Sequence, residues 1–130
     1  MRKKFFTTAS VMGALAVFLG AFGVHILKKL LPPETITIFE TGVRYQFYHC
    51  FALLFVGLLY QKFHVKQLVW AGHCFIIGVI FFSGSLYAIA LSRIGKTESM
   101  AALNAITPLG GLFFLAGWIL MLVGVQKAKY

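Results

Sequence analysis

Polar side chains set within long apolar runs are the first candidates for chemistry in this chain, because hydrocarbon disfavours them unless they are paired or put to use. His25, Arg44, Gln46, His49, Ser83, Ser85, Tyr87, Asn104 and Thr107 are such residues. Gly42, Gln46 and His49 step by four and three, and Ser83 and Tyr87 by four, so on helices each set shares one face. If the faces converge, Arg44, neutral histidines and a helix N-terminus at Thr107 would suit an anionic or carboxylate-bearing ligand. The alternative is structural: the serines, Gln46 and the histidines hydrogen-bond between helices, Glu40 neutralises Arg44 four residues on, and Arg44 reaches the headgroups.

Other chemistries find no support in the residue set. No Asp or Glu lies well inside an apolar run, so the carboxylate that couples a small multidrug exporter to protons is missing. No nucleophile can be matched with a base and an orienting acid, and the chain is expected not to be an enzyme. Cys50 and Cys74 lack C-x-x-C or finger spacing and read as packing residues at different depths. His49 lies about 9 Å below the outer end of its span at ~1.5 Å per residue and His73 near the inner end, so they cannot share a haem. His25 with His49 is geometrically possible but lacks a third feature pointing to a metal or haem. No metal or cofactor is expected.

The elements that must hold these residues are transmembrane helices. The chain has 130 residues, 60% hydrophobic and only 12% charged, with a mean hydropathy of +0.88. A single domain of this size cannot hide so much apolar surface from water, and the bilayer must cover it. Four runs near residues 5–24, 43–60, 68–91 and 108–125 each approach the ~20 residues a span needs. The expected fold is an all-α, four-transmembrane-helix bundle forming one domain over residues 1–130, with a short interfacial helix over 34–42 between the first two spans.

The first run follows Arg2, Lys3 and Lys4, so a signal peptide ending at Ala21-Phe22-Gly23 has to be weighed. Its length and its small-residue stripe, Ala9, Gly13, Ala16, Gly20 and Gly23, favour a retained helix that another helix approaches closely. Pro32-Pro33 stops it and pre-sets the next helix. Gly110, Gly117 and Gly124 form a second seam, and Gly84 with Ala88 a third. Thr107 before Pro108 reads as the N-cap of the last helix.

The net charge of +9 comes from 12 Lys and Arg against 3 Asp and Glu. The cations cluster at the ends of apolar runs instead of forming one stripe, which points to lipid headgroups as partners and away from nucleic acid. The side that carries both termini collects seven of them, Arg2, Lys3, Lys4, Lys62, Lys66, Lys127 and Lys129, against five, Lys28, Lys29, Arg44, Arg93 and Lys96, on the other. That bias predicts cytoplasmic termini.

Four motifs in order, Gly20-Ala21-Phe22-Gly23-Val24-His25, Thr41-Gly42-Val43-Arg44-Tyr45-Gln46 with His49, Phe82-Ser83-Gly84-Ser85-Leu86-Tyr87, and Ile106-Thr107-Pro108-Leu109-Gly110-Gly111, resemble the YgdD/YwdK family of small bacterial membrane proteins. The resemblance spans nearly the whole chain. It implies a four-helix protein of the bacterial inner (plasma) membrane and, because the family is one of unknown function, no mechanism. Its motifs coincide with the polar cluster that depth and spacing pick out. Two functions remain open: a non-enzymatic protein that binds a lipid or small amphiphile through that outer cluster, or a small oligomeric transporter or channel subunit. A helix–helix partner or a second copy is compatible with either.

Overall fold

The computed structural model describes residues 1–95 and 101–129. Lys96, one of the five cations that weigh on orientation, lies outside them. The described residues form helices and no strand: α1 (Arg2–Leu27), α2 (Pro33–Lys62), α3 (Lys66–Ser92) and α4 (Ala101–Lys127). Each is long and apolar enough to cross a bilayer. The protein is an all-α, multi-pass membrane protein.

The order of packing follows the order of the chain. α2 lies between α1 and α3, α4 packs mainly on α3 and touches α2, and α1 and α4 stand at opposite edges. The outward faces of those edge helices carry Val11, Leu15, Phe18 and Phe22 on α1 and Leu112, Leu115, Ile119 and Leu122 on α4, all more than half exposed. Water would leave this surface unsatisfied, and lipid covers it.

Close approach is made by glycines that receive rings. A Cβ on Gly57 would meet the ring of Phe6 at 2.8 Å, one on Gly72 the ring of Phe5 at 2.5 Å, and one on Gly117 the ring of Phe75 at 2.6 Å. The stripe on α1 faces α2, where Gly13 meets Cys50, Gly20 meets Val43 and Gly23 meets Phe39. The Gly110, Gly117, Gly124 seam faces α3 through Phe82, Phe75 and Leu68. Gly84 differs from expectation: it is exposed with open space beside it, and α3 makes its close contacts at Gly72 and Gly78.

Three local features depart from the sequence reading. First, α1 contains a π-helical turn, Leu19–Gly23, within the first motif. The wider turn rotates the remainder of the helix, so that Val24, Leu27 and Leu31 are buried with Ala16 against Phe39 and Val43. Second, residues 34–42 are not a separate interfacial helix; they are the opening turns of α2, which runs unbroken from Pro33 after an extended Pro32 (ψ 160°). Third, Pro108 lies inside α4, and Thr107 is not its N-cap. A helical proline leaves the carbonyl four residues back without its N–H partner. Here that carbonyl belongs to Asn104, which is exposed, and Thr107 donates its hydroxyl to the Leu103 carbonyl at 3.1 Å. The helix therefore continues toward its N-terminus through the proline, and its positive end lies upstream of the polar cluster.

Candidate functional site

α2 supplies the centre of the polar cluster, and the reason is its position between two neighbours. Gln46, 4% exposed, donates from Nε2 to the Met12 carbonyl of α1 at 2.7 Å and accepts on Oε1 from the Tyr87 hydroxyl of α3 at 2.7 Å. One carboxamide thus ties three helices, using a donor and an acceptor in the roles its two ends require. Ser83 donates to the Gly42 carbonyl at 2.7 Å, and a Cβ on Gly42 would sit 2.7 Å from the Tyr87 ring. Gly42 is therefore what lets α3 come close enough for both Ser83 and Tyr87 to reach α2. Cys50 adds a weak thiol bond to the Ala9 carbonyl at 3.2 Å.

A second group links α4. Because Thr107 commits its one proton to Leu103, Ser85 donates to Thr107 in a short hydrogen bond, with the Phe82 carbonyl also close to the Ser85 hydroxyl. His49 is held on both nitrogens: Nδ1 lies 2.8 Å from the Tyr45 carbonyl and Nε2 3.2 Å from Nε1 of Trp118. An indole N–H can only donate, so Nε2 must accept, and the proton resides on Nδ1, where it is donated to Tyr45. His49 is thereby fixed as one neutral tautomer. Phe114 stacks on its ring at 3.5 Å with an interplanar angle of 7°.

The network is closed. Among the described residues, every buried side-chain nitrogen and oxygen has a hydrogen-bond partner. Both nitrogens of His49 are taken, and His25 is exposed on the last turn of α1, so the structure does not bring the two histidines together around a metal. No group of three metal-ligating side chains occurs among the described residues.

The structure thus gathers Gln46, His49, Ser83, Ser85, Tyr87 and Thr107 into interhelical hydrogen bonds and leaves Arg44 and His25 outside. Arg44 is exposed, and among the described residues it forms no ion pair with Glu40 or any other acid. Trp118 and Phe114, which complete the surroundings of His49, are not legible from α2's pattern; their spacing of four on α4 marks a face but not its partner. Arg93 donates to Thr35 at 3.0 Å and closes the far ends of α2 and α3, a pairing that 58 residues of separation conceal.

An open site does exist beside the network. The turn after α1 and the first turns of α2 leave a cleft of about 520 Å³ lined by Lys28, Leu31, Pro33, Ile36, Thr37 and Glu40. α1 ends at Leu27, before the expected stop at the prolines, and Pro33 opens α2 after an extended Pro32, so the cleft lies at the turn between the two helices. Lys28 stands just past the end of α1 that begins with Arg2, Lys3 and Lys4, and Glu40 lies at the end of α2 away from Lys62. At ~1.5 Å per residue, both are about 35 Å from the opposite basic rim. That is headgroup depth. Arg44 follows Thr37 and Glu40 at i+7 and i+4 on the same face of α2, and His25 precedes Lys28 by three. The two residues left out of the network do not line the cleft, but each lies about one turn along the chain from a residue that does.

Comparison with known proteins agrees with the fold and the motifs. The family described as a protein of unknown function (DUF423) matches residues 19–111. The UPF0382 membrane protein YwdK of Bacillus subtilis is 36% identical over 126 residues, 96% of this chain and 98% of its own length. The UPF0382 inner membrane protein YgdD of Escherichia coli is 37% identical over 121 residues, 93% of this chain and 88% of its own. A UPF0382 membrane protein of Staphylococcus haemolyticus is 38% identical over 121 residues, 90% of this chain and 93% of its own. No solved structure matches. With four apolar helices, the ordered motifs and relatives aligned along nearly its whole length, this chain belongs to the UPF0382 (DUF423) family of membrane proteins.

Proposed function

We propose that this is a non-enzymatic protein of the inner membrane, with both termini in the cytoplasm, that holds the headgroup of a lipid or small amphiphile in the cleft between Lys28 and Glu40. The observation that carries the reading is a headgroup-deep cleft with one cation, one anion and an apolar floor of Leu31 and Ile36. A zwitterionic headgroup meets Lys28 with its phosphate and Glu40 with its ammonium, and among the described residues neither charge is already paired. Exposed Phe22 and Ile26 on α1, with Leu30 in the turn after it, offer acyl chains a path. Among the described residues the buried polar side chains are engaged with one another and with backbone, which supports a structural role for that cluster and a non-enzymatic reading. The excess of Lys and Arg on the terminal side supports the orientation.

Native mass spectrometry of the full chain from native membranes tests this. Wild type should retain a zwitterionic phospholipid, and Lys28→Gln and Glu40→Gln should each reduce retention about ten-fold. Equal retention by all three proteins would rule the cleft out. A reporter fused after Lys127 that reads out on the far side of the membrane would reverse the orientation.

A second reading, a small oligomeric transporter or channel subunit, has one observation in its favour. Gly84 on α3 and Gly111 on α4 both face open space, leaving flat spots on which another helix can seat. Liposome flux under a solute or proton gradient, from a species larger than a monomer, would establish it. A monomer without flux would end it.

A further inference from the structure

The end of the molecule that carries both termini has its own cavity. The first turn of α1 and the last turn of α2 with its following loop border an open, shallow pocket of about 400 Å³ lined by Met1, Arg2, Lys3, Tyr60, Gln61 and His64. We infer that this is a second binding site, for a phosphate-bearing anion, separate from the Lys28 and Glu40 cleft.

Its lining differs from the first cleft in one decisive respect: no carboxylate takes part. Arg2 offers a planar fork of N–H donors, Lys3 an ammonium, Gln61 an amide NH₂ and Tyr60 a hydroxyl, the set that recognises phosphate oxygens. Among the described residues, Arg2, Lys3 and Gln61 commit no side-chain donor to a protein acceptor. The Tyr60 and His64 rings lie 5.2 Å apart, which holds the imidazole on the same wall. A zwitterionic headgroup would bring its own cation against Arg2 and Lys3, so the site discriminates in favour of a net negative phosphate.

The depth and the surroundings favour a lipid as the source. Arg2 and Lys3 precede the apolar run of α1 and stand at headgroup level. Phe51, Phe55 and Leu58 are 54%, 59% and 54% exposed and follow one another at i, i+4 and i+7 along α2, ending one turn from Gln61. That stripe gives an acyl chain a path toward the bilayer centre while the donors hold the phosphate.

The test uses the full chain carrying Lys28→Gln, so that the other cleft does not contribute, incubated in detergent with equal amounts of phosphatidate and phosphatidylcholine and read by native mass spectrometry. Phosphatidate should be retained about ten-fold over phosphatidylcholine, and adding Arg2→Gln with Lys3→Gln should abolish the preference without moving the thermal midpoint. A parallel arm adds inorganic phosphate at millimolar concentration. Displacement of the lipid with phosphate bound assigns the site to a soluble anion, and unchanged retention assigns it to the lipid. If the double variant does not assemble, His64→Ala leaves both cations in place and should lower the preference about two- to three-fold. Equal retention of the two lipids, or a preference untouched by these substitutions, overturns the inference.

Discussion

The two halves of this bundle are held together by different means. Toward the termini the helices meet through rings and a leucine seated on glycines: Phe6 on Gly57, Phe5 on Gly72, Phe75 on Gly117 and Leu68 on Gly124. Toward the other rim glycines still seat their neighbours, Gly42 the Tyr87 ring and Gly110 the Phe82 backbone, and interhelical hydrogen bonds of Gln46, Ser83, Tyr87, Ser85 and Thr107 are added to them. Lipid removes the hydrophobic drive for helix association, leaving dispersion and hydrogen bonding. Contacts seated on glycine fix shape and distance, whereas hydrogen bonds fix rotation and depth, since each needs one donor facing one acceptor. The half that is hydrogen-bonded is also the half where chain direction is disturbed, by the π turn of α1, by Pro32-Pro33 and by Pro108.

The largest break in this comparison is expected where a glycine meets backbone instead of a side chain. A Cβ at Gly110 would stand 2.4 Å from the Phe82 amide nitrogen, which cannot swing aside as a ring can. Gly110→Ala should separate α3 from α4 and destabilise the fold by about 3 kcal/mol, read by denaturant titration in mixed micelles. Wild-type stability would show that the helices slide apart without loss, and that the glycine seam is not what sets their distance.

How much of this is legible in the sequence depends on whether a feature is one helix's property or a relation between two. The four spans are apolar runs and the α1 stripe and the Gly110, Gly117, Gly124 seam are periodicities, all properties of single helices; the runs reappear as four long apolar helices and the two stripes as packing faces. The polar cluster is legible because lipid makes each buried polar residue conspicuous. Its pairing is not: Trp118 meeting His49, or Arg93 meeting Thr35, depends on the rotation of one helix against another. Helix ends escape the pattern for a related reason, because hydropathy reports where lipid begins while α2 and α4 continue past it into the headgroup layer. Spacing alone puts Gly84 in a seam, since it cannot say which side of a helix has a neighbour.

Removing a hydrogen bond should cost less than filling a socket. Gln46→Leu keeps the volume of the side chain but leaves the Tyr87 hydroxyl without an acceptor and α1 without its tie at Met12, an expected loss of about 1–2 kcal/mol. A double-mutant cycle with Tyr87→Phe should return a coupling of about 0.6 kcal/mol, as for other interhelical bonds in membranes. Zero coupling would mean the two groups do not meet. Below that comes Trp118→Phe, which removes the donor to His49 Nε2 and part of a ring packed on Phe75, and should cost about 0.5 kcal/mol for the hydrogen bond itself. Nitrogen NMR of labelled histidine gives the sharper readout: one Nδ1–H tautomer in wild type, a mixture in the variant. A mixture already in wild type would remove Trp118 from the network.

The smallest effect on stability is expected at Arg44, and that is what separates holding the bundle together from serving the cleft. Its guanidinium is exposed and, among the described residues, unpaired, so nothing in the hydrogen-bonded half loses a partner when it goes. Arg44→Ala should leave stability within about 0.5 kcal/mol of wild type. It lies one turn from Glu40 on the face that lines the cleft, so the same substitution should lower lipid retention modestly, by about two-fold through lost attraction to phosphate. A stability loss as large as that of Gln46→Leu would instead make Arg44 part of the interhelical network, and the division between a closed cluster and an open cleft beside it would have to be redrawn.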